Sequence, residues 1–425
     1  MRARTFLAAR FSVETTNTSR RFSLSAYVAA SLGASAALLA ACTSTPTAHV
    51  DTQAVAQYRA TAYPIASEHA IQTFRIMGPS SETPWSATVT RPADSFRHPI
   101  VIYLPSLGQG DDEANHWVSA WAKSDYAVIV IQALPEDAQV WSSAEARSGD
   151  FERAAKARFR AELMADRIAR LSTLLGQIRA RSLRDEPGLQ NLDWSEVALA
   201  GADLGAYTVQ TIAATPAGRQ AQISWPITPL GYLVISPYAV RNVAQSERAA
   251  TVPHAPVLMI SSADDIDADG IITDTSLRRV AFDRLGQGDD YYFELASATH
   301  RWLGGVISPA SATEPAHHPA APPSSGERKG KQRGSGSASR DAVAPDSEED
   351  DTSPDKSTPT PAAARAELEK ARSRALTQEA LSEVSFATIT TVFLDAYVRQ
   401  QSAAHSWLAS SAAKWLRSGD RLKHR

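Results

Sequence analysis

The stretch Val197-Ala198-Leu199-Ala200-Gly201-Ala202-Asp203-Leu204-Gly205-Ala206, running on to Ala213, decides how the rest of the chain is read. Val197 to Ala200 is a short, continuous apolar run, the pattern of a strand covered on both faces. Ala206 to Ala213 reads as helix. Only Gly201 to Gly205 lies between them, so the chain must turn sharply. Small residues flanking Asp203 permit such a turn, which exposes the middle side chain at the end of the strand.

Outward from this turn, strand and helix signals alternate, the arrangement of an α/β domain with a mostly parallel central sheet and helices on both faces. Ile100 to Leu104, Ala127 to Ile131 and Val257 to Ile260 repeat the continuous apolar pattern. Two earlier runs, Ile71 to Ile76 and Ser86 to Thr90, alternate in part and suit a half-exposed antiparallel edge. Leu163, Met164, Ile168, Leu171, Leu174, Leu175 and Ile178 recur at helical spacing and predict a helix packed flat on the sheet. Val384, Ile389, Val392, Phe393, Ala396 and Tyr397 form a second amphipathic face, the closing helix of the same domain.

The segment from Pro309 to Pro361 combines Pro, Ser and Ala with a basic run at Arg328 to Arg333 and an acidic run at Asp346 to Asp351. It offers almost nothing to a core and reads as a solvated insertion, with partner binding through its charge blocks as the alternative. The domain plan is therefore a leader over 1–41, a tether over 42–57, a folded body over 58–308, the insertion over 309–361, a closing helical segment over 362–415 and a tail over 416–425.

The leader has scattered arginines, no acid before Glu14, and an apolar small-residue run from Tyr27 to Ala41. This is signal-peptide chemistry. Leu39-Ala40-Ala41-Cys42 follows, and Cys42 is the only cysteine in the 425 residues. The tetrapeptide resembles the bacterial lipobox, which implies acylation of Cys42 and a lipid-anchored protein of the cell envelope, facing the periplasm or the cell surface. Ser19-Arg20-Arg21-Phe22 fits either a twin-arginine signal or a plain basic region, so the export route stays open. A formal net charge of −3 provides no basic excess for a nucleic-acid partner. The expected partners are the membrane, through its lipid anchor, and a small-molecule or lipid-like substrate.

Three further segments stand where chemistry would be placed: Ile260-Ser261-Ser262-Ala263-Asp264-Asp265, His300 shortly after the run Tyr291 to Leu295, and Leu104-Pro105-Ser106-Leu107-Gly108. Together with the Gly201 to Gly205 turn they resemble the α/β-hydrolase family, in particular its small, capless dienelactone-hydrolase and platelet-activating-factor-acetylhydrolase branch. The resemblance covers Tyr63 to Leu303 and the closing helix with its Phe393-Leu394-Asp395-Ala396-Tyr397. It implies a nucleophile elbow centred on Asp203, an acid at Asp264 with Asp265 as second choice, and a base at His300, in the family's chain order. The oxyanion donors it implies are the backbone N–H groups of Leu107 and Leu204. The family's usual nucleophile is serine, and here the position holds Asp203.

An aspartate attacking an ester carbonyl would form a mixed anhydride, itself a high-energy acyl donor, whereas attack at a saturated carbon forms a stable alkyl ester. Dehalogenases and epoxide hydrolases of the family work in the second way, but with an aromatic residue after the Asp and a cap; here Leu204 follows and Tyr238 to Pro253 is too short for a large cap. Three functions thus stand: a hydrolase using Asp203, another hydrolytic use of the site, and a catalytically inactive binding or structural lipoprotein. Asp265-Ile266-Asp267-Ala268-Asp269-Gly270 opens like a calcium loop, yet Ser276 occupies the place of its bidentate Glu, so neither metal nor cofactor is expected.

Overall fold

The computed structural model describes residues 48–65, 69–79, 84–113, 115–215, 225–239, 253–286, 288–306 and 361–425. The leader with Cys42, and the insertion apart from Pro361, lie outside the described residues.

The apolar runs become the strands of one nine-stranded sheet: β1 (Ile71–Met77), β2 (Ser86–Pro92), β3 (His98–Leu104), β4 (Ala127–Ile131), β5 (Leu192–Ala202), β6 (Gly231–Ile235), β7 (Val257–Ser262), β8 (Tyr291–Leu295) and β9 (Arg421–His424). Their order is β1-β2-β4-β3-β5-β6-β7-β8-β9. From β4 across to β8 all pairings are parallel. Both flanks are antiparallel, β1 and β2 on one side and β9 on the other. The protein is thus of the α/β class, with a mixed, mostly parallel sheet.

Alternate residues of each central strand feed two cores. On one face Ile100, Ile102 and Ile129 meet Met164, Leu171, Leu174 and Ile178 of the long helix Ala161–Ser182 and Val209 of the helix Leu204–Ala214. On the other, Val101, Tyr103 and Val128 meet Trp117 and Trp121 of the helix His116–Lys123, and Phe386, Ile389 and Phe393 of the helix Pro361–Tyr397. The Trp117 and Phe386 rings stack at 3.8 Å, and the Tyr126 hydroxyl donates to Asp395 over 2.6 Å. The closing helix belongs to the same body, as its apolar face required.

Three stretches differ from the sequence expectation. Ala48 to Gln57, assigned to a tether, includes most of a helix over Thr52–Ala60, capped by Asp51 and held by a Tyr58–Trp415 stack at 4.6 Å. The residues after 415, assigned to a tail, supply β9, which shields the edge of β8. β6, which the sequence reading did not assign, fills the gap between β5 and β7. Among the described residues no helix is long and apolar enough to cross a membrane.

Candidate active site

Parallel strands all point one way, so the loops that follow β3, β5, β7 and β8 gather at one edge of the sheet. From β3 the chain passes to β4 on one side, and β5 then lies on the other. Ligand sites in open α/β sheets form in the crevice at such a switch point. Asp203 stands there, directly beyond β5.

Asp203 adopts φ 52°, ψ −111°, a conformation that costs a non-glycine residue about 1–3 kcal/mol. The turn is held by the Asp203 N–H on Ile235 O at 3.0 Å and the Tyr207 N–H on Asp203 O at 2.9 Å. Both glycines are required by contact. A Cβ on Gly205 would fall 2.1 Å from Leu104 O, and one on Gly201 would fall 2.5 Å from Gly205. Their absence lets the helix Leu204–Ala214 start against the ends of β3 and β5, which places the Asp203 carboxylate beside the loop after β3.

There the Leu107 N–H donates to Asp203 Oδ2 at 3.1 Å. The other oxygen, Oδ1, faces His300 Nε2 at 3.8 Å, beyond hydrogen-bond range. The loop bearing Leu107 is anchored by the Gly108 N–H on Asp137 O at 2.9 Å. Asp137 is fully buried, and its carboxylate accepts from Arg158 Nε at 2.7 Å and from Arg167 Nε and Nη2 at 2.7 and 3.0 Å. Leu107 and Leu204 also pack with Val140, Ala155 and Phe159 of the short helical excursion between β4 and Ala161–Ser182. Residues on either side of Asp203 in space therefore share an apolar wall. The second proposed oxyanion donor, Leu204, opens the helix beside Asp203.

His300 begins the short helix His300–Leu303, whose end is gripped by the first turn of His116–Lys123: Trp117 Nε1 donates to Leu303 O at 2.9 Å and Asn115 Nδ2 to Gly304 O at 2.8 Å. The carboxylate on His300 is Asp265, with Oδ1 at 2.7 Å from Nδ1. Asp264, the first choice from sequence, points away. It is exposed and accepts from the Ser297 hydroxyl at 2.8 Å. The pattern Asp264 exposed, Asp265 buried, Ile266 exposed, Asp267 buried inverts the hydrophobic order. Asp265 explains the inversion, because it also accepts from Ser236 and Ser261 hydroxyls at 3.0 and 2.7 Å and lies 3.4 Å from Arg278 Nε.

With Asp265 accepting the Nδ1 hydrogen, the neutral form of the imidazole directs its Nε2 lone pair toward Asp203. Burial opposes charge on the imidazole, but the Asp265 hydrogen bond and the fields of Asp203 and Asp265 outweigh it and raise its pKa above 6.5. Arg278, almost wholly buried, approaches Nδ1 to 3.2 Å and moderates that rise, while its Nη1 donates to Ser236 O and Pro237 O at 3.1 and 3.2 Å. It thereby ties the end of β6 to the acid loop. Nothing in Ser276-Leu277-Arg278-Arg279 marks Arg278 as buried, so sequence reasoning missed it.

Asp267 was noted only as part of a calcium-like loop, yet it belongs to the site. One oxygen each from Asp203 and Asp267 and a ring nitrogen of His300 lie within 4.8 Å of one another. That set is compact enough for a cation. The calcium-loop reading fails on different grounds, since both oxygens of Asp265, its first ligand, are engaged by Ser236, Ser261 and His300. A second cluster, His69, Asp94 and Asp125, lies by the start of β3, where His98 already bridges the two acids.

The arrangement offers a carboxylate on a strained turn, a backbone donor on one of its oxygens, and an oriented imidazole facing the other. Of the residues expected from sequence, Asp203, His300 and Leu107 converge, Leu204 adjoins them, Asp264 does not, and Cys42 lies outside the described residues. No protein-family model matches the chain, and no curated protein matches it.

Proposed function

We propose that the protein is a hydrolase of the α/β-hydrolase fold, held at the bacterial envelope by a lipid on Cys42, in which Asp203 attacks an electrophilic saturated carbon. The strand order and the chain order of Asp203, Asp265 and His300 support the fold assignment, with Asp265 replacing Asp264 as the acid. The observation that carries the chemistry is the division of labour within the Asp203 carboxylate. Oδ2 rests on the Leu107 N–H while Oδ1 faces His300 without a hydrogen bond.

This division suits an alkyl-enzyme. Oδ1 attacks carbon and becomes the ester oxygen; Oδ2 becomes the ester carbonyl, already seated on the donor that will stabilise the oxyanion of the next step. His300 Nε2 then takes a proton from water, the hydroxide adds to Cγ of Asp203, and collapse expels the alcohol, which recovers the proton from His300. An ester substrate is disfavoured, because its carbonyl would compete with Asp203 itself for the Leu107 N–H.

Screening the full chain in detergent against epoxides, alkyl halides and short acyl esters tests this reading. Turnover is expected on one of the first two classes and not on the esters. Since only neutral imidazole can accept the water proton, kcat should fall at low pH as His300 is protonated; burial lowers its pKa, and of the influences that raise it in the free enzyme the Asp265 hydrogen bond survives in the alkyl ester while the charge of Asp203 does not. Ester turnover alone would contradict the assignment. Silence across the panel would favour a binding lipoprotein.

A further inference from the structure

We propose that Asp267 is the acid of this site, a carboxyl group that gives its proton to an oxygen leaving group while Asp203 attacks the carbon bearing it. The inference rests on Asp203 being the nucleophile, and it narrows the substrate from any electrophilic carbon to one whose leaving group needs a proton, an epoxide above all. A departing halide needs none.

Asp267 is buried, with 6% of its surface exposed, on a loop fixed by its own N–H on Ile272 O at 3.1 Å and by the Asp269 N–H on its Oδ1 at 2.7 Å. An attacking oxygen about 3 Å from carbon, in line with a bond of about 1.5 Å, puts the leaving oxygen about 4.5 Å away. An Asp267 oxygen no more than 4.8 Å from one of Asp203 can stand within hydrogen-bond reach of that point. Two carboxylates this close disfavour each other's ionisation. Asp203 has the Leu107 donor and Asp267 has none from that loop. Burial, then the charge of Asp203, push the Asp267 pKa up, against the opposing influence of His300, the Asp269 N–H and Arg278.

The cycle then closes on its protons. As the Asp203 Oδ1–carbon bond forms, the ring carbon–oxygen bond breaks, and its electron pair goes to the oxygen, which takes the Asp267 proton. Hydrolysis of the alkyl ester leaves Asp203 as a carboxylic acid and the second alcohol protonated from His300. Asp203 returns its proton to Asp267. Epoxide and water become a diol with nothing left over.

The test follows alkylation alone, in a His300→Gln background where the ester should accumulate, using intact mass of the full chain and two probes of similar size, a terminal epoxide and a primary alkyl bromide. Asp267→Asn, which keeps the acceptor for Asp269, should slow alkylation by the epoxide about 100-fold or more and by the bromide less than about threefold. Without that substitution, epoxide alkylation should fall as pH rises through the Asp267 pKa while bromide alkylation stays level. Equal slowing of both probes, or none with the epoxide, overturns the role of Asp267 and leaves Asp203 standing. No adduct on Asp203 with either probe overturns the nucleophile and the acid together.

Discussion

Asp203→Ala is expected to lower kcat on an epoxide or alkyl halide by roughly 10⁴-fold or more while the protein stays folded. The loss should be this large because, in the proposed mechanism, the carboxylate supplies both the attacking oxygen and the carbonyl of the intermediate, so no partial route survives. Substrate affinity should change little, since Leu107, Leu204 and the apolar wall behind them remain. Alanine tolerates φ 52° less well than aspartate, which costs about 1 kcal/mol, and removal of a charge beside Asp267 offsets some of that. Asp267 should then titrate closer to an ordinary carboxylate, because the first influence after burial that raises it is gone. Kinetics on the same substrate, with the carbon-13 chemical shift of the Asp267 carboxyl followed against pH, checks both halves. A variant retaining a tenth of wild-type turnover would show that water attacks directly.

Asp137→Ala should have the largest effect on stability of any single substitution in the chemistry-bearing edge, about 3–5 kcal/mol. Asp137 has no exposed surface and neutralises Arg167, itself 2% exposed, together with Arg158. Without it the Arg167 guanidinium stays buried with two remaining acceptors, Arg158 O at 3.1 Å and the weak Met164 Sδ at 4.0 Å. The damage extends to function, because the main chain of Asp137 anchors Gly108 and hence the Leu107 donor. Urea unfolding should show a lower midpoint at an unchanged slope. A loss below about 1 kcal/mol would mean that water reaches the two arginines, and that the loop draws its order from elsewhere.

Much of the central sheet was legible because its strands are short apolar runs, and two-sided burial leaves little choice of element there. The turn around Asp203 was legible for a steric reason: only glycine fits at Gly201 and Gly205, where any Cβ meets backbone. β9 was hidden because Arg421-Leu422-Lys423-His424 is an edge strand, polar by the nature of its position, and its pairing with β8 is fixed across more than a hundred residues. The helix over Thr52–Ala60 was hidden for a related reason. It buries no residue fully and depends on single contacts such as the Tyr58 stack.

In the site, the choice between Asp264 and Asp265 could not be made from spacing. It depends on hydroxyls of Ser236 and Ser261 that reach the acid loop from β7 and the end of β6. Asp267 and Arg278 escaped for the same cause. Each is a polar residue buried by tertiary partners in a stretch that reads as surface, and the exposed Ile266 between two buried acids is the one local sign that the ordinary order is reversed.

A single turnover in oxygen-18 water, with enzyme in excess over an epoxide or alkyl halide that it hydrolyses, tests the covalent role of Asp203 most directly. A nucleophilic Asp203 leaves the oxygen newly joined to carbon in this first product unlabelled, since it comes from Oδ1, and the peptide containing Asp203 gains one heavy oxygen. A product carrying the heavy oxygen, with Asp203 unlabelled, would contradict that role and make the carboxylate at most a base for direct attack by water.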